Sequence, residues 1–258
     1  MAEAIVRGLL RSGRLGADRI IVADVSPARR EFFQSQLKVK AVEDNQTVAR
    51  QSRTLLLSVK PQQMAGLLKN LAGALKSETL IVSIAAAVST GFIEKSLGGA
   101  GKWRVVRAMP NTPMLLGEGV AAICPGANAS TDDLKQTRGI FESAAAVIET
   151  TEDKMDAVTA LSGSGPAYFF YLTEQLVKAG IALGLPAEQA HLLAVRTALG
   201  AGKMLTEAGA DPAELRRKVT SPGGTTEAAV TKLDAAGWPA AMVEAVKAAA
   251  ARSGQLKL

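Results

Sequence analysis

The sequence predicts a doubly wound, parallel α/β sheet over residues 1–150 followed by an all-helical domain over residues 151–258. Three observations carry this. Up to residue 150, short apolar runs closed by a turn or an acid alternate with helical patterns. The runs are apolar throughout rather than every second residue, as in strands buried on both faces of a parallel sheet. Beyond residue 150 no strand pattern follows, and Ala-rich stretches with helical spacing take over.

Met1 to Ser12 reads as a helix with Ile5 and Leu9 on one face, ended by Gly13. Arg19–Asp24 is a strand, and Ser26-Pro27 opens the next helix. Val39–Val42 is a strand, Asp44–Gln51 a helix, and Thr54–Val59 a strand stopped by Lys60-Pro61. Strands over 79–84, 104–107, 119–123 and 147–149 then alternate with helices over 62–74, 90–97 and 132–144. Thr151 starts the helical half. Leu161–Tyr168 is a Gly- and Ser-rich turn whose Pro166 suits the start of a helix to Leu183, and Gly184-Leu185-Pro186 separates this from a helix ending near Ala208. Tyr168, Phe169, Phe170 and Tyr171 surround the first of these helices with aromatic bulk, which fits either a dimer interface or the central helix of a monomeric bundle. In Pro212–Asp234, Thr220, Ser221, Thr225 and Thr226 surround a Pro222-Gly223-Gly224 turn, with Ala228, Ala229, Val230 and Leu233 at helical spacing behind it. Thr225 or Thr226 is expected to cap that helix, whose N-terminus suits either Glu227 or a small anion such as a carboxylate.

Composition narrows the function. At 48% apolar residues the chain buries a core, and its net charge of +6 is scattered rather than clustered, which argues for an anionic small ligand and against nucleic acid. A single cysteine, Cys124, excludes an internal disulfide, and with His191 as the one histidine a zinc site or a Ser-His-Asp triad lacks its parts. Neither an apolar span of membrane length nor a leader pattern is present, so a cytoplasmic protein without a membrane partner is expected.

In doubly wound sheets, ligands sit beyond the carboxyl ends of the strands. The loops there carry Asp24 and Ser26 with Arg29-Arg30, then Lys60-Pro61, Ala85-Ala86-Ala87, and Pro110-Asn111-Thr112-Pro113. Asp24 suits a ribose diol, whereas Ser26 and Arg29 suit a ribose 2′-phosphate. The alanines let a flat ring approach the backbone.

Residues 212–234, with the core Val219-Thr-Ser-Pro-Gly-Gly-Thr-Thr226, resemble the signature of pyrroline-5-carboxylate reductases. Ser162-Gly-Ser-Gly-Pro-Ala-Tyr168, Val59-Lys60-Pro61 and Met109-Pro-Asn111-Thr-Pro113 resemble further motifs of that family in the same order, so the resemblance spans nearly the whole chain. It implies reduction of 1-pyrroline-5-carboxylate to L-proline by NADPH, or by NADH, on a Rossmann-like domain followed by a helical dimerisation domain, in homodimers that can assemble into rings. By the same resemblance Met1, Ala2, Ser26, Asn45, Val59, Lys60, Pro61, Ala85, Ala86 and Asn111 meet the cofactor. Glu152, Gly223, Gly224, Thr225 and Thr226 meet the substrate, and Thr226 and Ser221 are the catalytic candidates. The family begins with an apolar strand and a Gly-x-Gly turn, whereas this chain starts at what resembles the Met-Ala that follows. The expectation is therefore a sheet without its first strand, through either a late-assigned start or a truncated paralogue.

Overall fold

The computed structural model describes residues 1–98 and 102–258 and divides into two compact units, residues 1–164 with 249–258, and residues 165–248. The first unit contains α1 (Ala2–Arg11), β1 (Ile21–Ala23), α2 (Pro27–Leu37), β2 (Lys40–Val42), α3 (Asn45–Gln51), β3 (Thr54–Leu57) and α4 (Pro61–Leu71). It continues through β4 (Leu80–Ser83), α5 (Thr90–Ser96), β5 (Arg104–Pro110), β6 (Gly119–Pro125), α6 (Thr131–Phe141), β7 (Ala145–Glu149) and α7 (Met155–Val158). Local signals set several ends. Asp44 caps α3 by accepting the Gln46 and Thr47 N–H groups, and Ser130 and Asp133 cap α6 reciprocally.

The strands form two sheets. β1 pairs with β2 alone, in parallel, and the other five run in the order β3-β4-β5-β6-β7. No ladder joins β1 to β3 among the described residues, so each presents an edge without a partner strand. β1 is half-buried along its length, whereas every residue of β4 is buried. Side chains on β4 alternate between two cores: Leu80 and Val82 pack with Ile5, Leu9 and Phe141, and Ile81 packs with Met64, Leu68 and Ile93. Helices therefore cover both faces of the larger sheet, as the apolar runs predict.

The wholly parallel sheet expected from the sequence needs one correction: β5 and β6 are antiparallel, with Met109 opposite Ala122. The connection from residue 111 to residue 118 is shorter than the dozen or so residues a parallel crossover needs. The antiparallel ladder also carries β5 to Pro110, three residues past the expected end at residue 107.

The second unit contains α8 (Gly165–Ala182), α9 (Ala187–Met204), α10 (Pro212–Lys218), α11 (Thr225–Ala235) and most of α12 (Trp238–Gln255). Gly184, at φ +91°, turns α8 back onto α9, and a Cβ on Gly180 would sit 3.0 Å from that of Ala190, so the two helices approach closely. Phe169, Phe170 and Tyr171 are 64%, 69% and 66% exposed. That exposure does not fit the central helix of a monomeric bundle, which would bury these rings.

Candidate functional site

The first cluster of candidates lies at the carboxyl ends of the strands in the first unit. Ser26 begins the turn into α2; its N–H donates to Asp24 Oδ1 (2.9 Å) and its hydroxyl has no partner among the described residues. Arg29 does not stand free beside it. Its guanidinium pairs with Glu3 (3.1 Å) and stacks over Phe32 and Phe33. Arg30 instead frames the loop, donating to the carbonyls of Asp24 (2.8 Å) and Val25 (3.0 Å). Asn45 is the first residue of α3, Lys60 the exposed residue before α4 and Pro61 its first residue. Met1 and Ala2 begin α1, whose first intrahelical bond runs from the Ile5 N–H to the Met1 carbonyl.

After β4 the chain passes through Ala85, Ala86 and Ala87. The Ala85 N–H donates to Ser83 Oγ (3.3 Å) and the Ala87 carbonyl accepts from the Leu258 N–H (2.9 Å). Between them Ala86 keeps both its N–H and its carbonyl without a partner among the described residues, and its methyl group leaves room for a flat ring. A donor and an acceptor on one residue match a carboxamide, so this loop fits the nicotinamide end of NAD(P)H. Val59 packs against the core beside it. Asn111 is committed elsewhere: its Oδ1 accepts the Val120 N–H (2.9 Å) and its Nδ2 donates to the Ser162 carbonyl (3.2 Å), which braces the end of β5.

Glu152 follows β7 and is likewise engaged. One carboxylate oxygen pairs with Arg107, a fully buried residue of β5, and the other accepts from the Thr90 hydroxyl (3.0 Å) and N–H (3.3 Å) at the start of α5. Cys124 Sγ lies 3.7 Å from the same oxygen. Burial first, and then the Glu152 charge, push the Cys124 thiol up to about 12, which leaves it a neutral core residue.

The second cluster lies in the second unit, between α10 and α11. Gly223, at φ +72°, turns the chain so that the Gly224 N–H bonds the Ser221 carbonyl (3.0 Å), and Glu227 reaches back to accept the Gly223 N–H (2.7 Å). The threonine cap expected from the sequence is corrected here. Gly224 is the N-cap, Thr225 is already helical, and no side chain among the described residues caps α11. Glycine is required at 224 because a Cβ there would come within 2.6 Å of Ser221 Oγ and 2.9 Å of its carbonyl. Among the described residues the hydroxyls of Ser221, Thr225 and Thr226 therefore have no partner, and neither do the N–H groups of Thr225, Thr226 and Glu227. The first intrahelical bond is from Ala228 to Gly224. Free N–H groups at a helix N-terminus beside free hydroxyls form a seat for a small carboxylate.

Comparisons with known proteins show the family and the fold. Residues 152–256 match the family model described as pyrroline-5-carboxylate reductase dimerisation, and residues 1–87 match one described as NADP oxidoreductase, coenzyme F420-dependent. A pyrroline-5-carboxylate reductase of Synechocystis is 41% identical over 99% of this chain and 94% of its own length. That of Pseudomonas aeruginosa is 42% identical over 99% and 93%. Among solved structures, a pyrroline-5-carboxylate reductase from Coxiella burnetii superposes with a TM-score of 0.92 at 36% identity, covering 100% of this chain and 95% of that one. The Plasmodium falciparum enzyme with NADP bound superposes with a TM-score of 0.87 at 28% identity, covering 99% and 94%.

Proposed function

Since the chain belongs to the pyrroline-5-carboxylate reductase family, we propose that it reduces 1-pyrroline-5-carboxylate to L-proline with NADPH as the preferred donor, as a cytoplasmic homodimer. The observation that carries this is the pair of unsatisfied seats. Ala86 offers a free backbone donor and acceptor, and the start of α11 offers three free N–H groups beside three free hydroxyls. Bound NADPH supplies the hydride. Met1, Ala2, Ser26, Asn45, Val59, Lys60, Pro61, Ala85, Ala86 and the Asn111 loop line its path, and the free Ser26 hydroxyl supports a contact with the 2′-phosphate. Thr225 and Thr226 hold the substrate carboxylate on the helix N-terminus, and Gly223 and Gly224 shape the turn that leaves the N–H groups of that first turn free. Thr226 directs its hydroxyl at the imine nitrogen and Ser221 supports it from the same turn. A threonine hydroxyl is too weak an acid to surrender a proton outright at neutral pH, so Thr226 orients the nitrogen or relays a proton from water. Glu152 meets the substrate by the family resemblance, from a carboxylate that Arg107 and Thr90 hold in place. The exposed aromatic face of α8 is the surface that a second copy covers, and the family resemblance extends this to rings of dimers.

The test is substrate-dependent loss of NADPH absorbance by the purified chain, together with rescue of a proline auxotroph. Oxidation with a higher kcat/KM for NADPH than for NADH is expected. No turnover with either cofactor, and no rescue, would overturn the reading.

A further inference from the structure

The Ala85–Thr90 loop is tethered from sequence-distant segments. The Leu258 N–H donates to the Ala87 carbonyl (2.9 Å), and the Ser89 hydroxyl donates to the Leu258 carbonyl (3.2 Å) while accepting the Phe92 N–H (3.1 Å). The residues leading into Leu258 are themselves anchored, with Lys257 Nζ 2.6 Å from Asp156 Oδ2 and the Ser253 hydroxyl 2.9 Å from Asp156 Oδ1. At the centre of these bonds Ala87 sits at φ +60°, one of two non-glycine residues with positive φ among those described. The other, Lys38, ends α2, where a left-handed residue is an ordinary helix stop. Ala87 ends no helix. An alanine holds the left-handed conformation only where its surroundings enforce it, and such residues gather at ligand clamps.

We propose that the Leu258 main chain is a positioning element for the cofactor: its bonds to Ala87 and Ser89 hold Ala87 left-handed and thereby present the free N–H and carbonyl of Ala86. This rests on the reading of the Ala85–Ala87 loop as the nicotinamide seat. Leu258 touches no reacting atom; it acts through Ala87. Because its side chain is exposed and only its backbone donates, packing of the Leu258 side chain can be separated from loop geometry.

Leu258→Pro removes the donor N–H and keeps the chain length, while Leu258→Ala retains it. The readouts are KM for NADPH, kcat and the thermal midpoint. Leu258→Pro is expected to raise KM for NADPH about five- to tenfold, the loss of one ordered hydrogen bond, with kcat changed less than about twofold and the midpoint nearly unmoved. Leu258→Ala should retain the wild-type KM. Ala87→Gly in the Leu258→Pro background should recover part of the loss, because glycine adopts positive φ without strain. A Leu258→Pro enzyme with unchanged KM, or a Leu258→Ala enzyme as impaired as the proline variant, overturns the proposal. Ala86→Leu keeps the two failures distinct. If it leaves NADPH binding intact, the cofactor reading of the loop is wrong; if it abolishes binding while Leu258→Pro does nothing, only the positioning role falls.

Discussion

Replacing Glu152 by alanine should destabilise the first unit far more than replacing its partner Arg107 by methionine. Arg107 is wholly buried, Glu152 is its ion-pair partner, and its Nε and Nη2 have no hydrogen-bond partner among the described residues. Without Glu152 the guanidinium remains in the core without its ion-pair partner, and breaking a buried pair from one side costs about 3–5 kcal/mol. Glu152 keeps about a third of its side chain in contact with solvent, 35%, so water enters part of the vacated space and the low end, about 3 kcal/mol, is expected. Arg107→Met removes the buried charge and fills much of the same volume with apolar atoms, while Glu152 stays solvated and still accepts from Thr90. Its expected cost is about 1 kcal/mol. The assay is equilibrium urea unfolding followed by tryptophan fluorescence in a Trp238→Phe background, so that Trp103, 4% exposed in the core of the first unit, reports alone. In a parallel thermal scan, at about 2–4 °C per kcal/mol for a unit of this size, Glu152→Ala should lower the midpoint by about 6–12 °C. The double variant should lie closer to Arg107→Met than to the sum of the two. Equal costs for the two single variants would refute the reasoning, since they would mean that the buried cation needs no partner.

Thr226→Ala should lower kcat by about one to three orders of magnitude, within the usual range for positioned proton-handling groups, while Thr226→Ser stays within a few-fold; steady-state kinetics decide, and an unaffected alanine variant removes the role. Phe170→Asp, on the exposed aromatic face of α8, should raise the dimer dissociation constant by about a hundredfold or more, the cost of a buried, unpaired carboxylate, as read by sedimentation at falling concentration. Amide exchange should be at least about tenfold faster in β1 than in β4, because β1 has one partner strand and a half-buried surface whereas β4 is paired on both edges and buried throughout; equal protection would mean that the β1 edge is not open.

Much of the fold is legible in the sequence because local pattern and global role coincide. Leu80-Ile81-Val82 is continuously apolar, and in the structure its residues alternate between two helix layers, so the run signals a doubly covered strand. The direction of β6 is a property of pairing rather than of composition, and composition cannot reveal it. The signal that does is the connection between residues 111 and 118, whose shortness by itself excludes a parallel crossover. Thr225 and Thr226, just after a Gly-Gly turn, likewise read as candidate helix caps, since Ser and Thr commonly serve that way. Whether they cap depends on where the helix begins. Gly223 at positive φ starts α11 with Gly224 as its cap, so the threonines fall inside the first turn, and their hydroxyls and N–H groups stay free for a ligand.

The partners of Glu152 and Ala87 lie beyond the reach of sequence reading for a different reason. Arg107 is 45 positions from Glu152, Thr90 is 62, and the Ser89–Leu258 bond spans 169. No periodicity or spacing rule relates residues so far apart, and each shows in the sequence only as a local oddity: a charge at the end of Arg104-Val-Val-Arg107, or an acid just after the last strand. The charge in the strand is nonetheless informative. An arginine among buried valines is tolerated only if a carboxylate meets it in the core, so its presence demands a partner on a neighbouring element. The acids nearest the end of β7, Glu149 and Glu152, are the candidates. Glu149 is taken by the more exposed Arg138, which leaves Glu152 to Arg107. The same carboxylate then reaches Thr90 with its second oxygen, so the group that compensates the buried cation also fixes the helix that follows the loop over residues 85–87. Stability of the sheet and geometry of the loop therefore share one residue. A change at Glu152 cannot be read as a binding effect until the Arg107→Met enzyme has shown what the cofactor affinity is when the charge is gone and the Thr90 bonds remain.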